Sequence, residues 1–357
     1  MKDIGIAIVG YGGMGEKHSR LVLNTAGCYL TGVYDILPER GRAAEQAGFS
    51  AYVSLNELLA DDVAMLVIVA TPNDSHEDLC VEAMKAGKHV ICEKPAAMDS
   101  AALSRMIQTA EYCRTLFTIH QNRRWDEDFL TVKRIFDEEI IGKVFTIESR
   151  VHGSRGIPGD WRKFKACGGG MVLDWGVHLL DQVVTLAGRD ILSVYAQLSY
   201  INGGECDDGF KILVKYDSNL TFHVEVGTTN FISLPRWYML GKTGSAVIND
   251  WALNGQITAL SSGVEHDAVP VTIGAGMSKT MAPRDAESLS DFPLPEPAVM
   301  CAGFLENVLD AIRGNAELIV KPEQAMFVMR LMEAVFLSSE EDRVVEGAEF
   351  AKKWWVK

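Results

Sequence analysis

Paired cysteines, long apolar runs and an excess of basic residues are all missing from this 357-residue chain. Its seven cysteines are scattered, with no CxxC pair and an odd total, which favours free thiols in a reducing compartment over a disulfide framework. The longest uninterrupted apolar run, Val63 to Ala70, is far shorter than the roughly 20 residues needed to cross a bilayer. The formal net charge of −14 argues against the basic surface that nucleic acids and anionic membranes require.

Length and composition indicate an ordinary globular protein with two domains. Hydrophobic residues make up 48% of the chain and charged residues 23%, so neither a disordered nor a fibrous class is indicated. A domain usually holds about 100 to 200 residues, and this chain exceeds that range. The apolar N-terminal stretch lacks a convincing basic leader and cleavage site. We therefore expect a cytoplasmic protein that acts on a small molecule, with no nucleic acid and no membrane as partner.

A glycine-rich run, Gly10-Tyr11-Gly12-Gly13-Met14-Gly15, follows the first apolar segment. A GxGxxG pattern alone is weak evidence, but its surroundings here predict a complete βαβ unit. The unit comprises a strand, a helix, a second strand and a terminal carboxylate: Ile4 to Val9, Glu16 to Asn24, Tyr29 to Tyr34, and Asp35. Together these parts predict a dinucleotide-binding site, with a purely structural glycine turn as the alternative.

Each conspicuous residue of this motif has a separate physical role. Gly10 permits a tight turn, Gly12 lets the backbone approach a pyrophosphate, and Gly15 allows the helix to pack closely on the strand. Asp35 would accept hydrogen bonds from the ribose hydroxyls of adenosine and repel a 2′-phosphate. Ile36 beside it offers no cation to offset that repulsion. The motif therefore favours NAD over NADP.

The first 120 residues alternate between predicted strands and helices, as in a doubly wound parallel sheet. The loops after Val9, Ala70 and Cys92 all follow strand ends, where such sheets bind ligands, so we expect them to converge. The remaining predicted helices and strands of this half are Pro38 to Ala47, Asn56 to Leu59, Ala64 to Ala70, Ser75 to Ala86, Lys88 to Cys92, Ser100 to Cys113 and Leu116 to His120.

From about residue 123 strand-like segments dominate, which predicts a second, α+β domain built on a mainly antiparallel sheet. One helical stretch, Gly170 to Ala187, interrupts them, and Ser278 to Pro297 is interpreted as an extended loop. Two helices, around Val299 to Arg313 and Gln324 to Ser338, close the chain. The predicted strands are Lys143 to Val151, Ile191 to Ile201, Phe210 to Tyr216, Leu220 to Thr228, Trp237 to Leu240 and Ser245 to Ile248.

Asp174 and His178 are spaced i,i+4 in the predicted helical stretch, so their side chains share one helix face and can hydrogen-bond. A histidine held by a carboxylate is a plausible general base at neutral pH. Three glycines before the helix, Gly168-Gly169-Gly170, suit a backbone that passes close to a ligand. Two alternatives remain open: a buried histidine held for structure alone, and a metal site formed by Asp174, His178 and Asp181.

Lys94 is a second candidate for chemistry. It lies two residues after the predicted strand Lys88 to Cys92, at the sheet edge where ligands bind, and is followed by Pro95. Its ammonium could hydrogen-bond a substrate hydroxyl and stabilise developing alkoxide charge. The alternative is an isolated surface lysine.

With these residues in place, the chain resembles the glucose-fructose oxidoreductase / inositol dehydrogenase / MocA (Gfo/Idh/MocA) family over nearly its full length. The resemblance implies an N-terminal Rossmann domain, residues 1–122, and a C-terminal α+β domain, residues 123–357, with a large open-faced sheet. It leaves open that the last helices pack back on the first domain. The motifs that carry it are the glycine run, Thr71-Pro72-Asn73 with His76, Glu93-Lys94-Pro95, Asn122-Arg123-Arg124-Trp125, Asp160-Trp161-Arg162, Gly168 to His178, and Leu318 to Ser338.

The family's catalytic group carries over to Lys94, Asp174 and His178. The resemblance also implies that the nicotinamide lies between the domains, and that the open face of the C-terminal sheet pairs subunits into homodimers or homotetramers. The implied cofactor-binding residues are Gly10, Tyr11, Gly12, Gly13, Met14, Asp35, Ile36, Thr71, Pro72, Asn73, His76, Glu93, Lys94, Asn122, Trp161 and Arg162. The implied substrate-binding residues are Lys94, Arg124, His152, Trp161, Asp174 and His178.

The activity implied by the resemblance is the reversible, NAD-dependent oxidation of a secondary alcohol on a sugar, glycoside or inositol ring. His178 would take the hydroxyl proton, Lys94 would support the alkoxide, and Asp174 would orient the histidine. Two other functions stay open. One is NAD-dependent glycoside cleavage through transient oxidation, and the other is a non-catalytic regulator that senses dinucleotide; the intact Lys94, Asp174 and His178 count against the regulator.

Overall fold

A computed structural model describes residues 3–261, 270–278, 284 and 286–350. Near the N-terminus five strands form one sheet, termed here the N-terminal sheet: β1 (Ile4–Val9), β2 (Cys28–Tyr34), β3 (Ala64–Val69), β4 (His89–Cys92) and β5 (Phe117–Ile119). All neighbouring pairs are parallel, in the order β2–β1–β3–β4–β5. The doubly wound parallel sheet expected from the sequence is therefore confirmed.

Five helices connect these strands: α1 (Gly13–Leu23), α2 (Pro38–Gln46), α3 (Leu55–Ala60), α4 (His76–Lys85) and α5 (Ser100–Cys113). Alternate residues of β1 enter two separate cores. Ala7 and Val9 pack in the core that contains buried residues of α4 and α5, whereas Ile6 and Ile8 pack with Val22 of α1. Because both faces of the sheet are covered, its strands are continuous apolar runs. This explains why the sequence predicted the five strands with ends correct to within one residue.

The second half forms a nine-stranded sheet, termed the C-terminal sheet. The strands of the C-terminal sheet are β6 (Val144–His152), β7 (Ile191–Ser199), β8 (Gly209–Tyr216), β9 (Thr221–Gly227), β10 (Trp237–Gly241), β11 (Gly244–Ile248), β12 (Gly255–Leu260), β15 (Leu289–Phe292) and β16 (Val345–Glu346). Two further strands, β13 (Val271–Ile273) and β14 (Gly276–Ser278), form a separate hairpin. The order is β15–β12–β11–β10–β6–β9–β8–β7–β16, and only the β6–β9 pair among these neighbours is parallel.

Among the described residues, helices pack on one face of the C-terminal sheet and leave the other face uncovered. The helices of this half are α6 (Glu127–Asp137), α7 (Val177–Ala187), α8 (Phe304–Ile312), α9 (Pro322–Glu341) and α10 (Gly347–Phe350). Along β8, Phe210 and Ile212 are buried while Lys211 and Leu213 are exposed. This alternation is typical of a sheet with one face packed on a core and one face open. Helix α8 instead packs on the N-terminal sheet, because its buried residues share a core with Ile6 and Ile8.

Several parts of the C-terminal half differ from expectation. Helix α6, strands β12 and β16 and the β13–β14 hairpin were not predicted. Within the predicted loop Ser278 to Pro297, Leu289–Phe292 forms β15, which pairs antiparallel with β12; residues 279–283 and 285 lie outside the described part. Thr258 donates a hydrogen bond to Asp291 across this pair, so the strand depends on a partner distant in sequence. The first of the two closing helices begins at Phe304 rather than near Val299. No helix among the described residues is long and apolar enough to span a membrane.

Candidate active site

The glycine turn after β1 has the shape that a dinucleotide requires. Gly10 has φ +93°, and a Cβ there would stand 2.5 Å from the carbonyl oxygen of Ala70. A Cβ at Gly15 would collide with the carbonyl oxygen of Gly10, so this glycine lets α1 approach the turn closely. At Gly12 and Gly13 no heavy atom lies within 4 Å of the Cβ position. The N-terminus of α1 therefore faces open space, which suits a pyrophosphate.

Asp35 is held rigidly at the end of β2. Its two carboxylate oxygens accept hydrogen bonds from the backbone N–H groups of Tyr11, at 2.7 Å, and Leu37, at 2.9 Å. Ile36 beside it is 80% exposed. One nearby cation was missed in the sequence: Arg40 Nη1 donates to the carbonyl oxygen of Tyr11 at 3.3 Å. The carboxylate is thus fixed at the end of β2, beside the glycine turn, with an arginine close to the same turn.

The loops after β3 and β4 are tied together, as expected from their shared sheet edge. His76 is fully buried, and its two ring nitrogens lie 2.9 Å from the carbonyl oxygens of Pro95 and Thr71. Asn73 Nδ2 donates to the carbonyl oxygen of Gly168 at 2.9 Å. His76 therefore joins two loops of the N-terminal sheet, and Asn73 links them to the glycine segment of the second half.

Lys94 meets Asp174 across the two halves of the chain. Lys94 Nζ donates to Asp174 Oδ1 at 2.9 Å and to the Asp174 carbonyl oxygen at 2.9 Å. Arg162 Nε lies 3.4 Å from the other carboxylate oxygen. Burial alone would raise the pKa of Asp174, but the Lys94 ammonium and the Arg162 guanidinium outweigh burial and hold the pKa below its ordinary value. Asp174 is therefore an anion fixed between two cations.

The expected hydrogen bond between Asp174 and His178 is not formed among the described residues, which corrects the i,i+4 prediction. A π-helical turn, Val172–Gly176, precedes α7, and the carboxylate of Asp174 turns to Lys94 and Arg162 instead. His178 is buried, its Nδ1 has no hydrogen-bond partner within the described structure, and its ring lies 6.1 Å from that of Trp175. Burial, followed by repulsion from the Lys94 ammonium, lowers the pKa of His178 well below 6.5. His178 is therefore neutral at pH 7.

Asp207, which the sequence did not single out, holds the start of the π-helical turn. Its Oδ2 accepts from Val172 N at 2.8 Å, and its carbonyl oxygen accepts from Met171 N at 3.0 Å. Gly170 has φ +103°, and a Cβ there would collide with Asp207 Oδ1. Burial raises the pKa of Asp207 to about 6. Gly170 thus makes room for a side chain that caps the segment carrying Asp174 and His178.

Glu93, next to Lys94, lies in a buried cluster with two histidines. His18 Nε2 is 2.7 Å and His120 Nδ1 is 2.8 Å from Glu93 Oε1. Burial opposes ionisation of Glu93, but His120 and His18 outweigh it and hold the pKa well below its ordinary value. These residue types also bind metals, and the three ligand atoms lie within 4.8 Å of one another. In the structure the hydrogen bonds to the two imidazoles already satisfy the carboxylate, which fixes the strand end that presents Lys94.

Arg124, predicted to bind substrate, is buried and engaged elsewhere. Its guanidinium forms two hydrogen bonds to Asp181, at 2.7 and 2.6 Å, and Nη1 donates to Gln324 and to the Ile319 carbonyl oxygen. Its side chain is 4% exposed. Both carboxylate oxygens of Asp181 are therefore bound to Arg124, so Asp181 does not join Asp174 and His178 as the third ligand of the alternative metal site. Arg124 links the Asn122–Trp125 turn to α7 and α9.

His152 also lies away from the catalytic group. It alternates along β6 with the core-facing Ile147 and so projects from the opposite, open face of the C-terminal sheet. Its Nε2 is 3.5 Å from Glu225, and its Nδ1 accepts from Leu234 N. Trp161, by contrast, is next to Arg162 in chain and space: the Arg162 guanidinium lies 4.5 Å from the Trp161 ring. Of the predicted substrate-binding residues, the structure thus pairs Lys94 with Asp174, places His178 about one helical turn after Asp174, and sets Trp161 beside Arg162.

Comparison with known proteins identifies both halves of the chain. Residues 4–120 match the model of an oxidoreductase family with an NAD-binding Rossmann fold, and residues 129–247 match the Gfo/Idh/MocA C-terminal domain. An uncharacterized oxidoreductase of Schizosaccharomyces pombe is 31% identical, over 88% of this chain and 91% of its own length.

Two further relatives are informative. The scyllo-inositol 2-dehydrogenase (NADP(+)) of Bacillus subtilis is 26% identical, over 96% of this chain and 95% of its own length. The crystal structure of an NAD-binding protein from Listeria innocua matches with a TM-score of 0.93 and 45% identity, covering 97% of this chain and all of that one. Both halves of the fold therefore occur together in known proteins.

Proposed function

Because the chain belongs to the Gfo/Idh/MocA oxidoreductase family, we propose that it reversibly oxidises a ring secondary alcohol of a sugar, glycoside or cyclitol to the ketone, with NAD. The observation that carries the proposal is the ion pair of Lys94 with Asp174, at 2.9 Å, beside a neutral, buried His178. An ammonium that can support an alkoxide and an imidazole that can accept a proton are the two groups that alcohol oxidation needs.

The roles proposed for Lys94, Asp174 and His178 differ from those expected from the sequence. An ammonium has three N–H donors, and Lys94 uses two of them on Asp174. The third is left for a substrate oxygen. His178, neutral because of its lowered pKa, accepts the hydroxyl proton. Asp174 orients Lys94 rather than His178. When bound, the nicotinamide would supply the hydride acceptor.

NAD is the proposed cofactor, on the strength of Asp35. A carboxylate fixed by two backbone N–H groups at the end of β2 accepts ribose hydroxyls and repels a 2′-phosphate. The Listeria innocua relative is named as NAD-binding, which supports this choice. The Bacillus subtilis relative is named as NADP(+)-dependent, and Arg40 is the residue here that could favour a phosphate. We propose that Asp35 outweighs Arg40 because Asp35 is the residue at the strand end.

The proposed substrate class is supported by the same comparisons and by the residues of the site. The Bacillus subtilis relative acts on scyllo-inositol according to its name, which supports a polyhydroxylated ring as substrate. Trp161, with the guanidinium of Arg162 beside it, offers an apolar surface together with hydrogen-bond donors, and this combination suits such a ring. The open face of the C-terminal sheet is the surface proposed to pair subunits into homodimers or homotetramers.

The test is a panel of polyols, pyranoses and glycosides assayed for NADH formation at alkaline pH, with the position of the product ketone determined by NMR. Wild-type protein should reduce NAD with at least one member of the panel. Lys94→Ala should lower turnover at least about 100-fold while NAD binding, measured by calorimetry, is unchanged. Glycoside cleavage without net NADH would instead indicate transient oxidation. A Lys94→Ala protein with unaltered biological function would indicate a dinucleotide sensor.

A further inference from the structure

A chain of aromatic rings leads from the catalytic histidine toward solvent. The ring of Trp175 lies 6.1 Å from that of His178, and the ring of Trp251 lies 6.3 Å from that of Trp175. Trp251 belongs to the turn between β11 and β12, yet it reaches the segment that carries the proposed catalytic residues. It is 48% exposed, so a large part of this indole is free to contact a ligand.

Two arginines hold Trp251 in place. The guanidinium of Arg123 lies 4.2 Å from the Trp175 ring and 5.2 Å from the Trp251 ring, and that of Arg236 lies 4.5 Å from the Trp251 ring. Arg236 is almost fully buried and lies 3.2 Å from Asp128. Arg123 Nη1 in turn donates to Asp126 Oδ2 at 2.8 Å. Both cations are therefore held by carboxylates, and they stabilise one side of the exposed indole.

Polar atoms without partners accompany these rings. Among the described residues, Arg123 Nε, Gln182 Oε1 and His178 Nδ1 are buried and make no hydrogen bond. Gln182 donates to the carbonyl oxygen of Arg123, so the first two atoms belong to one local group. Buried polar groups are nearly always paired, which indicates that this group binds a polar ligand or ordered water.

We infer that Trp251 forms a second sugar subsite, next to the site where the first ring is oxidised. This inference rests on the proposed function. A pyranose presents an apolar C–H face that can pack on an indole and a rim of hydroxyls that can meet guanidinium and amide groups. The subsite narrows the substrate class to compounds with two rings, such as disaccharides and aryl glycosides. A free monosaccharide or cyclitol would use the oxidation site alone.

The experiment compares paired compounds that share the same oxidisable ring: glucose with cellobiose and with p-nitrophenyl β-glucoside, and galactose with lactose and its p-nitrophenyl glycoside. For wild-type protein we expect KM for two-ring compounds to be about ten-fold lower than for one-ring compounds. Trp251→Ala should abolish that advantage while kcat is unchanged. The control is Phe292→Ala, on β15 of the same sheet, because Phe292 is 49% exposed and should leave both values as they are.

Calorimetric titration of the same pairs into the protein with NAD separates this inference from the proposed function. Binding of two-ring compounds that depends on Trp251 without any NADH formation would support the subsite and contradict the dehydrogenase. Turnover with equal KM for one-ring and two-ring compounds, or an equal loss for both in Trp251→Ala, would overturn the subsite and leave the dehydrogenase intact. Failure of all these compounds to bind would also overturn the subsite.

Discussion

Lys94 and Asp174 are 80 positions apart in the chain, yet their side chains form an ion pair of 2.9 Å between the end of β4 and the π-helical turn before α7. The backbone carbonyl of Asp174 accepts a second hydrogen bond from the same ammonium. The lysine is therefore aimed by a single residue, through both its main chain and its side chain. Arg162 restrains the remaining carboxylate oxygen from the other side.

Asp174→Asn removes the charge that orients the ammonium but keeps the side chain's size and the backbone contact. We expect kcat to fall about 100-fold, because the lysine no longer points reliably at the substrate oxygen. The dissociation constant for NAD should not change. Steady-state kinetics and calorimetry test both statements. Glu77→Gln is the matched control, since Glu77 forms a more exposed ion pair with Arg105 and should have no effect on kcat.

The acid limb of the pH dependence of kcat/KM should be centred at a lower pH than it would be for a histidine with an ordinary pKa. Burial and the Lys94 ammonium hold the pKa of His178 well below 6.5, so the proton-accepting form persists at pH values where a free imidazole is protonated. We expect kcat/KM for oxidation to be undiminished at pH 6.5 and to fall only in more acidic buffer. A limb centred at or above 6.5 would show that His178 is not the base. His178→Gln should remove activity at every pH.

Cofactor choice should respond to the pair of Asp35 and Arg40. Asp35→Ser removes the charge that repels a 2′-phosphate, and Arg40 beside the same turn then becomes a favourable partner. We expect the ratio of the NADP to NAD dissociation constants to fall at least about ten-fold. In Asp35→Ser with Arg40→Ala, most of that gain should be lost. If the native protein already prefers NADP, the role given to Asp35 is wrong.

Asp207 should make folding stability depend on pH. Burial raises its pKa from 3.8 to about 6, so between these values the folded protein keeps a proton that the unfolded chain has released. Stability from this group is therefore greatest in acid and decreases as pH rises through about 6, by up to about 3 kcal/mol. Asp207→Asn keeps the oxygen that accepts from Val172 but does not ionise.

Chemical denaturation at about pH 4 and pH 7 provides the measurement for Asp207. The difference in the free energy of unfolding between Asp207→Asn and wild type should shift in favour of the variant from about pH 4 to about pH 7. Asp208, the buried neighbour that accepts a hydrogen bond from Asn202, is present in both proteins. Equal differences at both pH values would contradict the proposed titration of Asp207.

Arg124 should matter for stability rather than for substrate affinity. Arg124→Met leaves Asp181 as an unpaired buried charge, at a cost of about 3–5 kcal/mol. Thermal unfolding should show a large drop in Tm, whereas Arg134→Met, which removes a surface pair with Glu138, should change it little. If Arg124→Met folds as stably as wild type and raises KM instead, the substrate contact expected from sequence is correct.

Local sequence signals were sufficient for the N-terminal half. Buried parallel strands are continuous apolar runs, and the glycine turn requires Gly10 and Gly15 wherever that backbone occurs. The C-terminal half was less predictable because its strands depend on distant partners. Leu289–Phe292 forms a strand by pairing with β12, which no feature of the segment itself indicates.

In the candidate site, too, some features could be predicted from local sequence and others could not. Lys94, Asp174 and His178 were predicted from sequence, and the structure pairs Lys94 with Asp174, but the hydrogen bonds were not predictable from spacing. An ideal helix placed Asp174 beside His178, whereas two cations from other segments draw the carboxylate away. Asp207 was missed because its partner, Val172 N, is 35 positions away and an aspartate before a strand carries no signal by itself. Only the fold brings such pairs together.

The contact between Lys94 and Asp174 also limits how this protein can be divided or recombined. A fragment that ends before Asp174 would contain the strands of the N-terminal sheet and Lys94 but would lack both the carboxylate that pairs with the lysine and the imidazole proposed to accept the proton. Exchange of one half between two relatives would preserve chemistry only where the hybrid rebuilds that 2.9 Å contact. Reactivity is thus a property of the assembled chain, and neither half carries it separately.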